Sequence, residues 1–399
     1  MTVPPSIRTR LTATLFSGVA LATTAYIAAI TVSTLAARSI TGSAGLAGIP
    51  ATLAVIGTAS GAALLSADAA RRGRRRGLIL GYSCAAVGGL IAAWGVNRSS
   101  FLLLAGGMAI LGFGQASSQL SRYAAAEIAE PARRGTAVSL IVWAGTVGAV
   151  AGPALLEPAA GFATAAGRPE YVGGYGLAAL FMALAALTYT IALRPAHAEV
   201  TAQPGETSKT LRFGQALTNP NVRLALISMV FGQIVMVLIM TGTPIHIEDA
   251  GGGLDAVGTV ISAHTLGMFA FSPLTGRLVD VFGPVRVLVG SVALLAVSAV
   301  LAAAAPPSST IMLTAGLFLL GVGWNGGFVA GSSLVAASVG TRMQGAVDAV
   351  IWTSSALASL SSGVILATVG YRALSLTGLA LVAFPALGLA TLRRRLVTV

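Results

Sequence analysis

The stretch GRLVDVFGPVRVLVG, residues 276–290, sets a charged turn between two apolar runs. Gly276 and Gly283 bracket a single carboxylate, Asp280, and Arg286 follows three residues after Gly283. Part of it has an echo near the start of the chain. ARRGRRRGLILG (70–81) aligns with VFGPVRVLVG (281–290) around Gly73 and Gly283, with Ala70 where the second copy has Asp280. A second pair, LGFGQASS (111–118) and LGVGWNGG (320–327), lies at nearly the same offset, close to 210 residues. A repeat of that period means two similar halves laid down in the same orientation.

Composition says what surrounds them. The chain has 399 residues, 55% apolar and only 9% charged, with a mean hydropathy of +0.86. A soluble domain carries about 25% charged residues. Too little charge is present to coat a water-facing surface, so the lipid bilayer is the expected solvent. The 49 glycines suit helices that pack closely in lipid. One cysteine, Cys84, excludes an internal disulfide and a cysteine metal cage.

A spanning helix takes about 20 apolar residues. Twelve segments qualify: 11–34, 46–67, 77–96, 101–123, 136–157, 173–193, 223–245, 256–279, 285–305, 310–335, 345–368 and 373–392. This predicts an all-α membrane protein with a six-helix half over 1–193, a linker over 194–222 and a second six-helix half over 223–399. The basic start (Arg8, Arg10) runs directly into the first segment, which reads as a retained helix rather than a cleaved leader. With the N-terminus inside, the cytoplasmic side holds Arg8, Arg10, the five arginines of 71–76, Arg122, Arg133, Arg134, Arg194, Lys209, Arg212, Arg223, Arg277, Arg286, Arg342 and Arg393–Arg395. That is 20 of the 24 basic residues; Arg38, Arg98, Arg168 and Arg372 remain outside. The asymmetry predicts both termini in the cytoplasm. It also accounts for the net charge of +12 without a nucleic-acid partner.

Two like-oriented six-helix halves are the layout of the major facilitator superfamily, and GRLVDVFG resembles that superfamily's GxxxDxxG signature between helices 8 and 9. The resemblance implies a gate in which Asp280, framed by Gly276 and Gly283, accepts hydrogen bonds from a neighbouring helix N-terminus on the inside face. In the first half Ala70 leaves that slot worn. GTVGAVAGP (145–153) is similar to the glycine–proline motif of helix 5, where glycine permits close packing and Pro153 adds a kink.

The chain shows no phosphate loop, CxxC pair or HExxH motif, and its glycine motifs fall inside spanning segments. Transport rather than catalysis is the expectation, with the site near the bilayer midplane between the halves. There MVLIM (236–240) and HTLGM (264–268) stand out: four of only nine Met and three His form two i,i+4 pairs. Residues four apart on a helix share a face, and antiparallel neighbours bring Met236, Met240, His264 and Met268 to overlapping depths. Thioethers and an imidazole are soft ligands that suit Cu(I). Spacing leaves other roles open. Methionine also fills gaps between helices, and an intramembrane histidine also serves as a proton site or an interhelical hydrogen bond.

MxxxM in helix 7 with HxxxM in helix 8 resembles the CcoA-like family, bacterial major-facilitator copper importers that feed cytochrome c oxidase assembly. The text IMTGTPIHIEDAGGGLDAVGTVISAHTLGMFAFSPLTGRLVDVFG (239–283) is similar throughout. The resemblance implies Met236, Met240, His264 and Met268 as copper ligands, copper as the transported substrate with no resident cofactor, a bacterial cytoplasmic membrane, and a cytoplasmic copper acceptor. Met240 and His264 would take the ion from outside, and Met236 and Met268 would hold it at mid-depth. Close relatives lacking these motifs import riboflavin, so a riboflavin or other small-solute importer is the alternative.

The remaining candidates carry less. Met229, two turns before Met236, reads as an exit ligand or as packing. His246, beside Glu248 and Asp249, reads as a cation collector at the entrance or as an ordinary loop cluster. Met108 fills the helix 4 slot where proton-coupled drug exporters of this fold show Arg, which argues against that third class. Asp348 reads as an Arg partner at the cytoplasmic gate or as a helix-start cap. Gln115, Gln119, Gln233, Trp324 and Asn325 are candidate cavity residues, and no carboxylate is evident at a membrane centre.

Overall fold

A computed structural model describes residues 4–43, 46–193, 213–251, 254–306 and 309–392. Residues 194–212 of the expected linker, with Arg194, His197, Lys209 and Arg212, and the terminal Arg393–Arg395 lie outside them. Among the described residues all regular secondary structure is helical. In order, its helices are α1 (Pro5–Thr41), α2 (Ile49–Arg72), α3 (Arg74–Asn97), α4 (Phe101–Ile128), α5 (Arg134–Ala154), α6 (Leu156–Ala165), α7 (Tyr171–Ala192), α8 (Phe213–Ala216), α9 (Pro220–Asp249), α10 (Leu254–Phe269), α11 (Ser272–Phe282), α12 (Pro284–Ala304), α13 (Thr310–Ser338) and α14 (Thr341–Leu392).

Eleven of the described stretches are long and apolar enough to cross a membrane. The sequence predicts twelve, and the difference lies in α14. Its 52 residues would extend about 78 Å at 1.5 Å per residue, against a hydrocarbon core of about 30 Å. At Gly370 the backbone leaves helical geometry (φ 80°, ψ 173°), a conformation glycine adopts freely. The expected segments 345–368 and 373–392 flank that break.

Two other segments differ in detail. The fifth ends at Ala154, just after Pro153, and the separate α6 follows. The eighth is broken after Phe269 into α10 and α11. Pro273 has no N–H to return to the carbonyl four residues back, which removes a rung of the ladder there.

The described residues gather into two compact units. One falls within Met1–Glu130, Ala144–Thr210 and Gly340–Thr353, the other within Pro131–Trp143, Leu211–Val339 and Ser354–Val399. Each unit therefore includes the start of a helix whose remainder belongs to the other: α5 begins in the second unit and α14 in the first.

Glycine sets the closest crossings inside each unit. In the first, a Cβ on Gly57 would meet the Ala109 carbonyl at 1.9 Å, and one on Gly112 would meet the Ala54 carbonyl at 2.2 Å. Only glycine lets α2 and α4 approach so closely. In this unit the Ser121 and Tyr189 hydroxyls lie 3.0 Å apart, and Tyr189 donates to the Leu15 carbonyl at 3.1 Å. In the second unit, a Cβ on Gly267 would meet the Phe318 carbonyl at 2.4 Å, and one on Gly321 the His264 carbonyl at 2.3 Å. α10 and α13 are pressed together in the same way. The two turn glycines of the repeat also match, Gly73 at φ 92°, ψ 143° and Gly283 at φ 82°, ψ 152°.

Candidate transport site

His264 belongs to the α10–α13 crossing of the second unit. Its side chain is 0% exposed, and Nδ1 lies 2.9 Å from the Leu317 carbonyl. A carbonyl only accepts, so Nδ1 carries the hydrogen, and in the neutral ring the lone pair is on Nε2. Nε2 is buried and has no hydrogen-bond partner. A ligating histidine has this arrangement: one nitrogen anchored to a carbonyl, the other left open.

One turn on, Met268 is half-buried on the last turn of α10. The helix break that follows frees backbone groups, and Asn325 of α13 takes them up. Its side-chain amide donates to the Met268 carbonyl at 2.7 Å and to the Ser272 hydroxyl at 2.6 Å. Broken helices are tolerated at membrane depth where neighbouring side chains re-satisfy the freed backbone groups. Asn325, a candidate cavity residue in the sequence, is fully buried in this structural role, though its Oδ1 has no partner.

Trp324 links the neighbourhoods of the two Met/His motifs. Its indole N–H donates to Gln233 Oε1 at 2.7 Å, and Gln233 lies one turn before Met236 on α9. The Gln233 amide donates onward to the Ser355 hydroxyl at 3.1 Å. The edge of the Trp324–Phe269 pair, with centroids 6.1 Å apart, brings the same indole to the residue after Met268. Phe328 stacks on Trp324 at 4.7 Å. Met236 is buried at 4% exposure, and Met240, one turn further along α9, is half-buried.

The weaker candidates separate. Met229 is buried, with its Cγ and Sδ over Gly331, where a Cβ would come within 2.6 Å of the sulfur. It faces a gap between α9, α12 and α13 together with Trp324 and Phe328. His246 stacks on Tyr371 at 4.1 Å and 9°, and its Nε2 has no partner. Met108 is fully buried in α4 of the first unit. Cys84 is half-buried in that unit and free. Among the described residues, no group of three or more His, Cys, Asp or Glu gathers as for a metal ion. Any soft-metal site here draws on thioethers.

Asp280 caps α5 inside the second unit. Oδ1 accepts from Gly135 N–H at 2.7 Å, while Oδ2 accepts from Thr136 N–H at 2.9 Å and from the Thr136 hydroxyl at 2.5 Å. A carboxylate at a helix N-terminus meets unpaired N–H groups and the positive end of the dipole. Gly276 makes the approach possible, since a Cβ there would meet Ser139 Oγ at 2.0 Å and the Gly135 carbonyl at 2.6 Å.

The first unit holds its borrowed helix start differently. Gly345 crosses α2 at Ser66, and Arg74 donates to Thr341 Oγ1 at 3.0 Å and Gln344 Oε1 at 2.8 Å while pairing with Glu127. Deeper in, Arg122 pairs with Asp348 at 1% and 0% side-chain exposure. The segment expected over 345–368 sets Asp348 about one turn into its helix. α14 in fact begins at Thr341, because TRMQ is helical though polar, and this sets Asp348 two turns in. Asp348 is thus an Arg partner and not a helix-start cap. A buried ion pair between distant segments leaves no periodic trace in sequence.

Helices long and apolar enough to cross a membrane, gathered in two compact units, fit a transporter rather than an enzyme. The Major Facilitator Superfamily model matches residues 14–254 and 236–397, and the chain belongs to that family of secondary transporters. It is 36% identical over 375 residues to the MFS-type transporter YdeG of Bacillus subtilis, covering 91% of this chain and 86% of that one. The riboflavin transporter RfnT of Brucella anthropi is 28% identical over 358 residues, covering 87% and 86%. In fold the chain is similar to the human organic anion transporter MFSD10, with a TM-score of 0.73 at 18% identity, over 97% of this chain and 100% of that one.

Proposed function

We propose that this transporter imports copper as Cu(I) across a bacterial cytoplasmic membrane, supplying cytochrome c oxidase assembly through a cytoplasmic acceptor. In this reading the chain crosses the membrane twelve times with both termini inside. The observation that carries it is the His264 imidazole, anchored at Nδ1 and open at a buried Nε2, with a thioether one turn away. Met236 and Met240 supply two more thioethers on α9. Neutral soft donors bind Cu(I) without adding charge to the membrane interior. Single thioethers bind weakly enough for the ion to move on.

The second reading is riboflavin import. It is favoured by the likeness to RfnT and by the cluster of Trp324, Phe328 and Phe269 with Gln233, which offers stacking faces and an amide.

Uptake of radiolabelled copper, run beside riboflavin uptake, separates the two. Met236→Leu combined with Met240→Leu nearly preserves volume, so each change costs less than about 1.5 kcal/mol of packing. Copper uptake should fall to background at normal expression. Unchanged copper uptake would reject the copper reading, and riboflavin uptake sensitive to neither change would support the second.

A further inference from the structure

Asn325 stands beside the break between α10 and α11 and touches both sides of it. Its Nδ2 donates to the Met268 carbonyl on the last turn of α10 at 2.7 Å and to the hydroxyl of Ser272, the first residue of α11, at 2.6 Å. The side chain is 0% exposed, and Oδ1 is buried with no partner. An amide oxygen buried without a donor is a cost that a residue kept only for packing would avoid. With Oδ1 free, the amide is held from its Nδ2 side alone. The break itself follows from Pro273, which has no N–H to give the Phe269 carbonyl.

The first copy of this crossing packs without either feature. At the repeat offset Asn325 corresponds to Ala116, Ser272 to Ala62 and Pro273 to Ala63. There α2 runs unbroken from Ile49 to Arg72, and the Ala116 methyl lies 3.0 Å from where a Cβ on Gly61 would stand. Alanine against a continuous helix is enough to make the crossing. The amide and the break occur together in the copy that also carries His264 and Met268, and they bear on what that copy does.

Beyond the break, α11 is a short piece with a single buried stripe, Ser272, Thr275, Gly276 and Val279, at helical spacing. At one end of the stripe Ser272 meets Asn325. At the other, Gly276 lies against Gly135, and Asp280 accepts from the Gly135 and Thr136 N–H groups. The two ends are about 12 Å apart at 1.5 Å per residue. We propose, on the reading that cargo binds beside Met268, that Asn325 is a positioning residue for transport: it clasps the break so that movement of Met268 is carried through α11 to the Asp280 cap. Cargo drawn onto the Met268 thioether shifts the last turn of α10. The two donated bonds pass that shift across the break, α11 tilts on its stripe, and Asp280 leaves the start of α5. Without the clasp, α10 moves and α11 stays.

The test is hydrogen–deuterium exchange of the full chain in lipid nanodiscs, given Cu(I) as its acetonitrile complex without oxygen or, in parallel, riboflavin. The Gly135 and Thr136 amides are the readout, because Asp280 accepts from both. In wild type, cargo should speed their exchange severalfold. Asn325→Leu keeps the size and removes both donated bonds; cargo should still bind to it while the exchange at Gly135 and Thr136 stays as it was. If Asn325→Leu fails to fold, Asn325→Ala, the residue of the first copy, is read instead. Adding Pro273→Ala gives the Phe269 carbonyl its N–H back, so a main-chain bond replaces the clasp and the response to cargo should return. A residue that serves packing alone predicts no such rescue. Exchange that answers cargo in Asn325→Leu as in wild type, or that answers neither cargo in wild type, would overturn the proposal. Riboflavin speeding the exchange in wild type while copper does not sinks the copper reading and leaves the clasp standing. Copper speeding it equally with and without Asn325 sinks the clasp alone.

Discussion

The α2–α4 crossing of the first unit and the α10–α13 crossing of the second are the same piece of architecture. Gly57 and Gly112 press together in one, Gly267 and Gly321 in the other, with hypothetical Cβ atoms 1.9–2.4 Å from a facing carbonyl in all four cases. The carbonyl that meets Gly112 belongs to Ala54, and the one that meets Gly321 belongs to His264. Four residues further on, the first unit has Thr58 and the second Met268. Thr58 turns its hydroxyl back to the Ala54 carbonyl at 2.9 Å and bonds Tyr26 within the same unit. His264 reaches across to α13 and leaves a nitrogen open. The crossing is made by glycine alone. Imidazole and thioether are additions to one copy of it, and the crossing itself does not need them.

The largest effect should come from breaking either crossing. Gly112→Val and Gly321→Val each drive atoms into backbone on the facing helix, which cannot retreat as a flexible side chain can. Overpacking of that kind costs on the order of 1–3 kcal/mol or more. Both variants should lose thermal stability in detergent by similar amounts. A large loss for one and none for the other would mean that the two crossings are not equivalent.

The next test exploits the difference between the copies. Met268→Leu should cut copper uptake about tenfold or more with expression near wild type, because packing is nearly conserved and the sulfur is gone. Thr58→Val at the corresponding place removes a hydroxyl that bonds its own helix and Tyr26 but no soft ligand, so uptake should fall far less than in Met268→Leu. Equal losses in the two variants would show that this layer matters for packing and not for ligation.

The smallest effect is expected at the gate. Asp280→Asn places an amide N–H₂ where one oxygen accepted from Thr136, and helix caps are worth about 0.5–2 kcal/mol. Insertion should be normal while the uptake rate changes by several-fold. Transport at the wild-type rate would reduce the capped α5 to a structural contact.

Much of this was legible from sequence. The repeat, the spanning segments and the gate signature follow from hydropathy and from glycines whose spacing the backbone enforces; Gly73 and Gly283 need a positive φ at the same point of each copy. The four Met/His candidates followed from rare residue types at helical spacing. Less legible was anything made by distant segments meeting. The break after Phe269 depends on Asn325 taking up a freed carbonyl 57 residues away in sequence. The Arg122–Asp348 pair spans 226 residues. The roles of Gln233 and Trp324 as mutual partners were equally hidden, although both residues stood out as polar groups in apolar helices.

In the copper proposal, the second copy of the crossing carries a soft metal site. X-ray absorption at the copper edge, on the full chain loaded with Cu(I) in detergent, tests it most directly. Such a site should show a first shell of thioether sulfur with one imidazole nitrogen, the nitrogen lost in His264→Ala and the sulfur reduced when Met236 and Met240 are both changed to Leu. A copper environment identical in wild type and in all of these variants would contradict it.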